Sequence, residues 1–195
     1  MRMSLRAFIA LELPGEVQDA ISASTAALQK ALPRPVVRWV TPHNIHLTLK
    51  FLGDIAPTDL ERLAGVLKAD VAGLEPFRLN VAGLGAFPTP RRARVIWVGV
   101  ELPPALTSLQ RRVELLTASP GSTAEEGSFS PHLTIGRVGQ GLSPAETSRV
   151  QAALESARIG DLGSVHVTAV AIFKSDLQPG GSVYTRLYSL PMKPA

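Results

Sequence analysis

The chain has 195 residues, 45% of them apolar and 18% charged, which is enough to bury the core of one domain and too apolar for a disordered segment. It contains no cysteine, which excludes disulfide scaffolds, thiolate metal centres, iron–sulfur clusters and cysteine nucleophiles. Lys and Arg number 20 against 16 Asp and Glu, giving a net charge of +4 and a tilt toward anionic partners.

No apolar run approaches the roughly 20 residues of a membrane span, and Glu12 interrupts the N-terminal run 7–11. Neither a span nor a signal peptide is expected, and the expected location is cytoplasmic.

In chain order, the run 8–14 reads as a buried strand ending in Glu-Leu-Pro, where proline stops the ladder. A helix follows with Val17, Ile21 and Leu28 on one face. A short strand 46–49 comes next, followed by Gly53. The second helix carries Thr58 and Glu61 at capping-box spacing, with Leu60, Leu63, Leu67 and Val71 turned inward. A strand 77–87 leads into a Pro- and Arg-rich junction at 87–92. The pattern then restarts. The run 97–103 repeats the apolar strand ending in Glu-Leu-Pro, and Leu106, Leu109, Val113 and Leu116 mark a third helix. After a loop at 119–128, a strand 132–135 is followed by Gly136. A fourth helix has Ser143 as N-cap, Pro144 in its first turn and Glu146 three residues after the cap. A strand 165–173, a loop at 178–182 and a last strand 183–190 complete the chain.

The order strand, helix, strand, helix, strand thus occurs twice. The expected fold is α+β: one domain, 1–195, of two similar lobes related by a pseudo-two-fold. Each lobe is an antiparallel-rich sheet backed by helices, and the two meet at a central cleft. The repeat halves run over about 1–87 and 91–175, with the C-terminal strand 183–190 added.

Histidines carry the chemistry. There are 4, and three have a threonine two places on: His46 with Thr48, His132 with Thr134, and His166 with Thr168. On a strand, residues two apart share a face, so each such pair points the same way. His46 and His132 stand at equivalent places in the two halves, whereas His166 maps onto Asn80 and has no histidine counterpart. His166 is therefore read as incidental, and His43 as a loop residue. Leu47, Leu49, Leu133 and Ile135 point away from the His/Thr face, into a core.

The segments His46-Leu47-Thr48-Leu49-Lys50-Phe51-Leu52-Gly53 and Pro131-His132-Leu133-Thr134-Ile135-Gly136-Arg137 resemble the paired H-x-T-x motifs of the two-histidine (2H) phosphoesterases. More narrowly, the chain resembles the RNA 2′,3′-cyclic phosphodiesterases, also called 2′-5′ RNA ligases. The opening Arg6-Ala7-Phe8-Ile9-Ala10 and the closing Phe173-Lys174-Ser175-Asp176-Leu177 with Tyr184 extend the likeness over nearly the whole chain.

That resemblance implies hydrolysis of an RNA 2′,3′-cyclic phosphate to a 2′-phosphomonoester, with reversible 2′-5′ ligation as a side capacity. It assigns His132 as proton acceptor from water and His46 as proton donor to the 3′ oxygen; the residues alone do not choose between the two. Thr48 and Thr134 would donate to non-bridging phosphate oxygens, whose charge grows in the pentacoordinate state. Lys50 lies on the His46 face by strict alternation and could reach phosphate. Arg137 has the opposite parity from His132 unless Gly136 introduces a bulge, yet the family favours it as a phosphate contact. Phe8 and Tyr184 are stacking candidates by resemblance, and Arg34, Arg38, Arg91, Arg92 and Arg94 form basic clusters.

No cofactor is expected: there is no G-x-x-x-x-G-K-[ST] loop for a nucleotide and no H-E-x-x-H pattern for zinc. The expected partner is RNA with a 2′,3′-cyclic phosphate end, with no membrane and no protein partner, the chain acting as a monomer. Three other readings stay open. The fold could serve as a non-catalytic RNA-binding module, it could act on small cyclic phosphates, or it could hold a metal on His43, His46, His132 and His166.

Overall fold

A computed structural model describes residues 4–118, 129–178 and 181–194. The predicted loop at 119–128 lies outside the described residues, as does the tip of the turn at 178–182. The strands are β1 (Leu5–Glu12), β2 (Val37–Trp39), β3 (His46–Ile55), β4 (Phe77–Phe87), β5 (Val95–Val100), β6 (His132–Val138), β7 (Asp161–Val167), β8 (Ala169–Gln178) and β9 (Gly181–Pro191). The helices are α1 (Gly15–Ala31), α2 (Pro57–Val71), α3 (Pro104–Thr117) and α4 (Pro144–Ser156). Among the described residues, no helix is long and apolar enough to cross a membrane.

The expected helix faces are the buried ones. Val17, Ile21 and Leu28 of α1, and Leu106, Leu109 and Val113 of α3, enter the core. In α2 the inward stripe is Leu60, Ala64, Leu67 and Val71, so Leu63 sits at its margin. The α4 capping box forms as read: Ser143 Oγ accepts from Glu146 N–H, and the Glu146 carboxylate accepts from Ser143 N–H at 2.8 Å. The α2 box does not form. Pro57, whose fixed φ suits a first helical residue, starts the helix with Ala56 as cap and leaves Thr58 inside it.

All nine strands join one antiparallel sheet in the order β7-β4-β5-β6-β3-β1-β8-β9, with β2 added beside β6. The order is symmetric about the β6–β3 pair, as the duplication implies. The spatial lobes are not the sequence halves, however. β4 comes from the first half and pairs with β5 of the second; β8 comes from the second half and pairs with β1 of the first. A short connection favours this, because β4 and β5 are consecutive strands and pair antiparallel across the 88–94 segment. Helices follow suit: α1 and α4 pack together against β7 and β4, while α2 and α3 pack together against β8, β9 and β3.

The expected strand 165–173 is in fact two strands broken at Thr168. Thr168 alone separates β7 from β8, which stand six places apart in the strand order. The sheet must therefore curl until its edge strand β7 comes round to the end of β8 at that residue. The short strands expected at 46–49 and 132–135 extend further, β3 to Ile55 and β6 to Val138, and so run through Gly53 and Gly136.

Candidate active site

The site is built on β3 and β6, which pair with Leu47 opposite Leu133. Both leucines are buried in the core. The flanking residues His46, Thr48, His132 and Thr134 therefore project from the other face, and all four are half-buried. Antiparallel register sets each histidine beside the other motif's threonine, His46 beside Thr134 and His132 beside Thr48.

Both imidazoles are held in one way. His46 Nδ1 lies 2.8 Å from the Asn44 carbonyl oxygen, and His132 Nδ1 lies 2.8 Å from the Ser130 carbonyl oxygen. A carbonyl oxygen can only accept, so Nδ1 carries a proton in each ring and Nε2 is the exchangeable nitrogen. With Nε2 bare the ring is a base, and with Nε2 protonated it is an acid.

Aromatic side chains pack around these rings. Phe8 stacks on His46 with centroids 4.7 Å apart, Tyr184 meets it edge-on at 5.1 Å, and Phe173 stacks behind Phe8 at 5.3 Å. In the other lobe Phe87 meets His132 edge-on at 4.9 Å, and Trp97 lies 6.5 Å away. Burial in this setting lowers the His46 pKa below the ordinary histidine value. The hydrogen bond to Asn44 opposes that shift, and the charges of Arg137 and His132 reinforce it.

A β-bulge in each motif strand decides which residues share the site. Ile9 pairs with Lys50 and Ala10 with Thr48, which leaves Leu49 unpaired. Ile96 pairs with Gly136 and Trp97 with Thr134, which leaves Ile135 unpaired at the equivalent place. One extra residue reverses the alternation beyond it. Lys50 thus falls on the opposite face from His46, opposite buried Ile9, and forms an ion pair with Glu114 of α3 at 2.8 Å. The expectation that Lys50 reaches phosphate is corrected by that bulge. The same device returns Arg137 to the His132 face, where its charge acts on His46. The bulged residue is Ile135, one place before the Gly136 that sequence reasoning suspected.

The remaining sequence candidates disperse. His43 is exposed on a single 3-10 turn, Pro42–Asn44. His166 is exposed on β7, one of the two edge strands, in register with Arg78 of β4. Among the described residues, no group of three or more His, Asp or Glu side chains is placed to hold a metal ion, so the four histidines do not form a ligand set. Phe8 is 2% exposed, which makes it a backing for His46 and leaves no open ring for a base to stack on. Tyr184 is half-buried and lines a cavity of about 240 Å³ with Asn44, Arg38 and Arg137.

Sequence reasoning missed β2, the two carbonyl acceptors, and the aromatic groups Phe87 and Trp97. One signal was available for Trp97: it occupies the place of Phe8 in the repeated apolar run. Nothing local marks Asn44 or Ser130, since it is their backbone that acts.

A family model for LigT-like phosphoesterases matches residues 11–97 and again 99–184, once in each sequence half. An RNA 2′,3′-cyclic phosphodiesterase of Methanothermobacter thermautotrophicus is 35% identical over 183 residues, spanning 94% of this chain and 96% of its own. One from Thermotoga maritima is 32% identical over 185 residues, 94% of either chain. Among solved structures, E. coli LigT complexed with 3′-AMP superposes with a TM-score of 0.73 at 26% identity, covering 97% of this chain and 99% of its own. A protein of Thermus thermophilus gives 0.72 at 30% identity, covering 96% and 97%.

Proposed function

The chain belongs to the LigT-like phosphoesterase family and is a cyclic phosphodiesterase; we propose that it opens RNA 2′,3′-cyclic phosphate ends to 2′-phosphomonoesters without a metal ion, using His46 and His132 as its proton-transfer pair. The observation that carries this reading is the matched pinning of both Nδ1 atoms, which leaves two Nε2 atoms on one sheet face.

A cyclic phosphate needs one proton taken from the attacking water and one given to the departing ribose oxygen. In the proposed reaction His132 Nε2 accepts the proton of water as its oxygen bonds to phosphorus. The bond from phosphorus to the 3′ oxygen breaks, and that oxygen takes the proton of His46 Nε2. Thr48 and Thr134 donate to the two non-bridging oxygens as negative charge builds on them. Arg137 supplies a fixed positive charge to the same phosphate. Replacing water by the 5′-hydroxyl of another RNA would run the same chemistry toward a 2′-5′ linkage.

His46 must hold a proton to act as donor, and in the free protein burial and Arg137 work against that. A bound phosphate anion supplies the opposing field, so the ring gains its proton along with the substrate. Substrate binding and donor activation are thereby coupled.

The test is a short RNA with a 2′,3′-cyclic end, incubated with the protein in excess EDTA, its product compared with 2′- and 3′-phosphate standards. A 2′-phosphate product is expected. A 3′-phosphate would reverse which ribose oxygen receives the proton, and activity appearing only on adding metal would overturn the metal-free reading. Tight RNA binding without turnover would point to a binding module.

A further inference from the structure

Along β6 and the 3-10 turn Pro90–Arg92 the described surface opens into a cavity of about 1010 Å³ whose lining includes Arg38, Arg91, Arg92, Arg94 and Arg137 and no Asp or Glu. That volume is at or above the upper end of what a small-ligand pocket offers, about 300–1,000 Å³, and suits a longer molecule. All five arginines are exposed, and none forms an ion pair among the described residues. Arg62, Arg112 and Arg186, by contrast, each hold a carboxylate within 3 Å. Arg6, Arg34, Arg78, Arg111, Arg149 and Arg158 also form no ion pair among the described residues, so what distinguishes the cavity is five such arginines on one lining with no carboxylate among them.

The cavity is joined to the catalytic face. Arg38 on β2 and Arg137 on β6 are partners in register, and both also line the smaller cavity that contains Tyr184. Tyr184 in turn touches the His46 ring edge-on. The positive surface therefore runs from His46, past the Arg38–Arg137 pair, to the 3-10 turn Pro90–Arg92 and Arg94 beyond it.

We infer that this arginine-lined groove binds the phosphodiester backbone of the RNA on the 5′ side of its cyclic end. The inference rests on the proposed RNA reaction and adds to it: the histidine pair recognises only the terminal phosphate, and the groove makes the enzyme prefer a chain over a single nucleotide. Arginine suits the task because its planar fork donates two hydrogen bonds to one phosphate and remains charged at every working pH. A groove that reads backbone gives affinity across sequences and a steep dependence on salt.

The test compares wild type with the triple variant Arg91→Gln, Arg92→Gln, Arg94→Gln, which leaves Arg38 and Arg137 intact. Two substrates are used, a nucleoside 2′,3′-cyclic phosphate and a ten-nucleotide RNA with the same end. Binding of a fluorescent ten-nucleotide RNA ending in a 2′-phosphate is measured alongside. The variant should lose about 10- to 100-fold in kcat/KM on the RNA while the mononucleotide rate stays within twofold, which also reports intact folding. The salt dependence of RNA binding should flatten by about 2 in log–log slope, at about 0.7 per lost phosphate contact to a single strand. Unchanged RNA turnover and binding would overturn the groove. An equal loss on both substrates would overturn it too, by showing that the arginines serve the fold or the reaction itself. If wild type opens the mononucleotide but neither binds nor opens RNA, the RNA reading fails together with the groove. If it binds RNA through the arginines but opens neither substrate, the reaction fails and the groove stands.

Discussion

Arg137 occupies in β6 the place that Phe51 occupies in β3: each is the second residue after the unpaired bulge residue, Ile135 in one strand and Leu49 in the other. The duplicated fold supplies two matching positions beside the histidines, and the chain fills one with a cation and the other with an exposed ring. Phe51 is 54% exposed and lies 6.1 Å from Phe8. The two histidines are alike in their backbone hydrogen bonds and unlike in these neighbours. In the proposed reaction this difference breaks the symmetry between the two histidines, since at these matched positions only the β6 strand supplies a cation.

Lys50 gives the sharpest contrast with Arg137. Its ammonium pairs with Glu114 on the helix side of the sheet, with only 15% of the side chain exposed. Lys50→Met should therefore leave kcat and KM on a cyclic phosphate within about twofold while lowering stability by about 1–3 kcal/mol, the cost of stripping a partly buried carboxylate of its partner. Glu114 keeps the hydrogen bond from Gln110 at 3.1 Å, which limits the loss. Adding Glu114→Leu should restore much of the stability. Denaturant melts and steady-state kinetics on the single and double variants decide the matter; a hundredfold fall in kcat for Lys50→Met would return Lys50 to the active site.

Position of charge also sets the pH behaviour. The folded His46 pKa is lowered relative to the unfolded ring, chiefly by burial. The unfolded chain then binds more protons than the folded one, so this group's contribution to stability is fully present above about pH 6.5 and is lost as pH falls through the lowered folded value. His46→Gln should flatten that acid limb of the melting curve. Arg137→Gln removes a charge that lowers the pKa, so the NMR titration midpoint of His46 should move up, while turnover falls because the phosphate loses its cation. A midpoint that stays put in Arg137→Gln would separate the guanidinium from the ring.

What the sequence showed and hid follows the range of the interactions. The α4 capping box and the inward faces of α1 and α3 were legible because their partners lie within a few residues. The His/Thr pairs were legible because the duplication printed them twice. Lys50 and Arg137 were not resolvable, because a bulge is a relation between two strands and β1 and β5 are distant in the chain. The exchange of β4 and β8 between lobes is likewise a choice among long-range pairings that the local pattern permits equally. Thr58 was misread for a local reason: Pro57 beside it competes for the helix start and wins.

The threonines divide binding from catalysis. If Thr48 and Thr134 donate to oxygens that gain charge in the transition state, Thr→Val at either place removes a donor of nearly unchanged shape. The expected loss is about 2.7–4 kcal/mol of barrier, roughly 10²–10³-fold in kcat, with little change in KM. His46→Ala or His132→Ala should cost about 10²–10⁴-fold. A Thr→Val variant whose KM rises while kcat holds would make that hydroxyl a ground-state contact only.

The second lobe builds its aromatic backing differently from the first, and this yields a packing prediction. Phe8 stacks on its cross-strand partner Phe173, whereas Trp97, at the place of Phe8, has Gly85 as cross-strand partner. The indole lies across that glycine: a Cβ at Gly85 would come within 2.2 Å of the Trp97 ring. Gly85 is thus the cavity into which the larger ring fits, the sheet counterpart of a large residue set against a small one. Trp97 packs on Phe87 at 5.2 Å, and Phe87 packs on His132, so moving the indole disturbs the ring beneath the proposed base. Gly85→Ala should destabilise the fold by about 1–3 kcal/mol, the usual cost of overpacking. It should also lower kcat by about tenfold or more at a temperature where the protein is still folded. Gly85→Ala with Trp97→Phe should recover both, because the shorter ring leaves room for the methyl group. Melting curves and kcat for the single and double variants would check this; an unaltered kcat in Gly85→Ala would show that His132 does not depend on its aromatic backing for position.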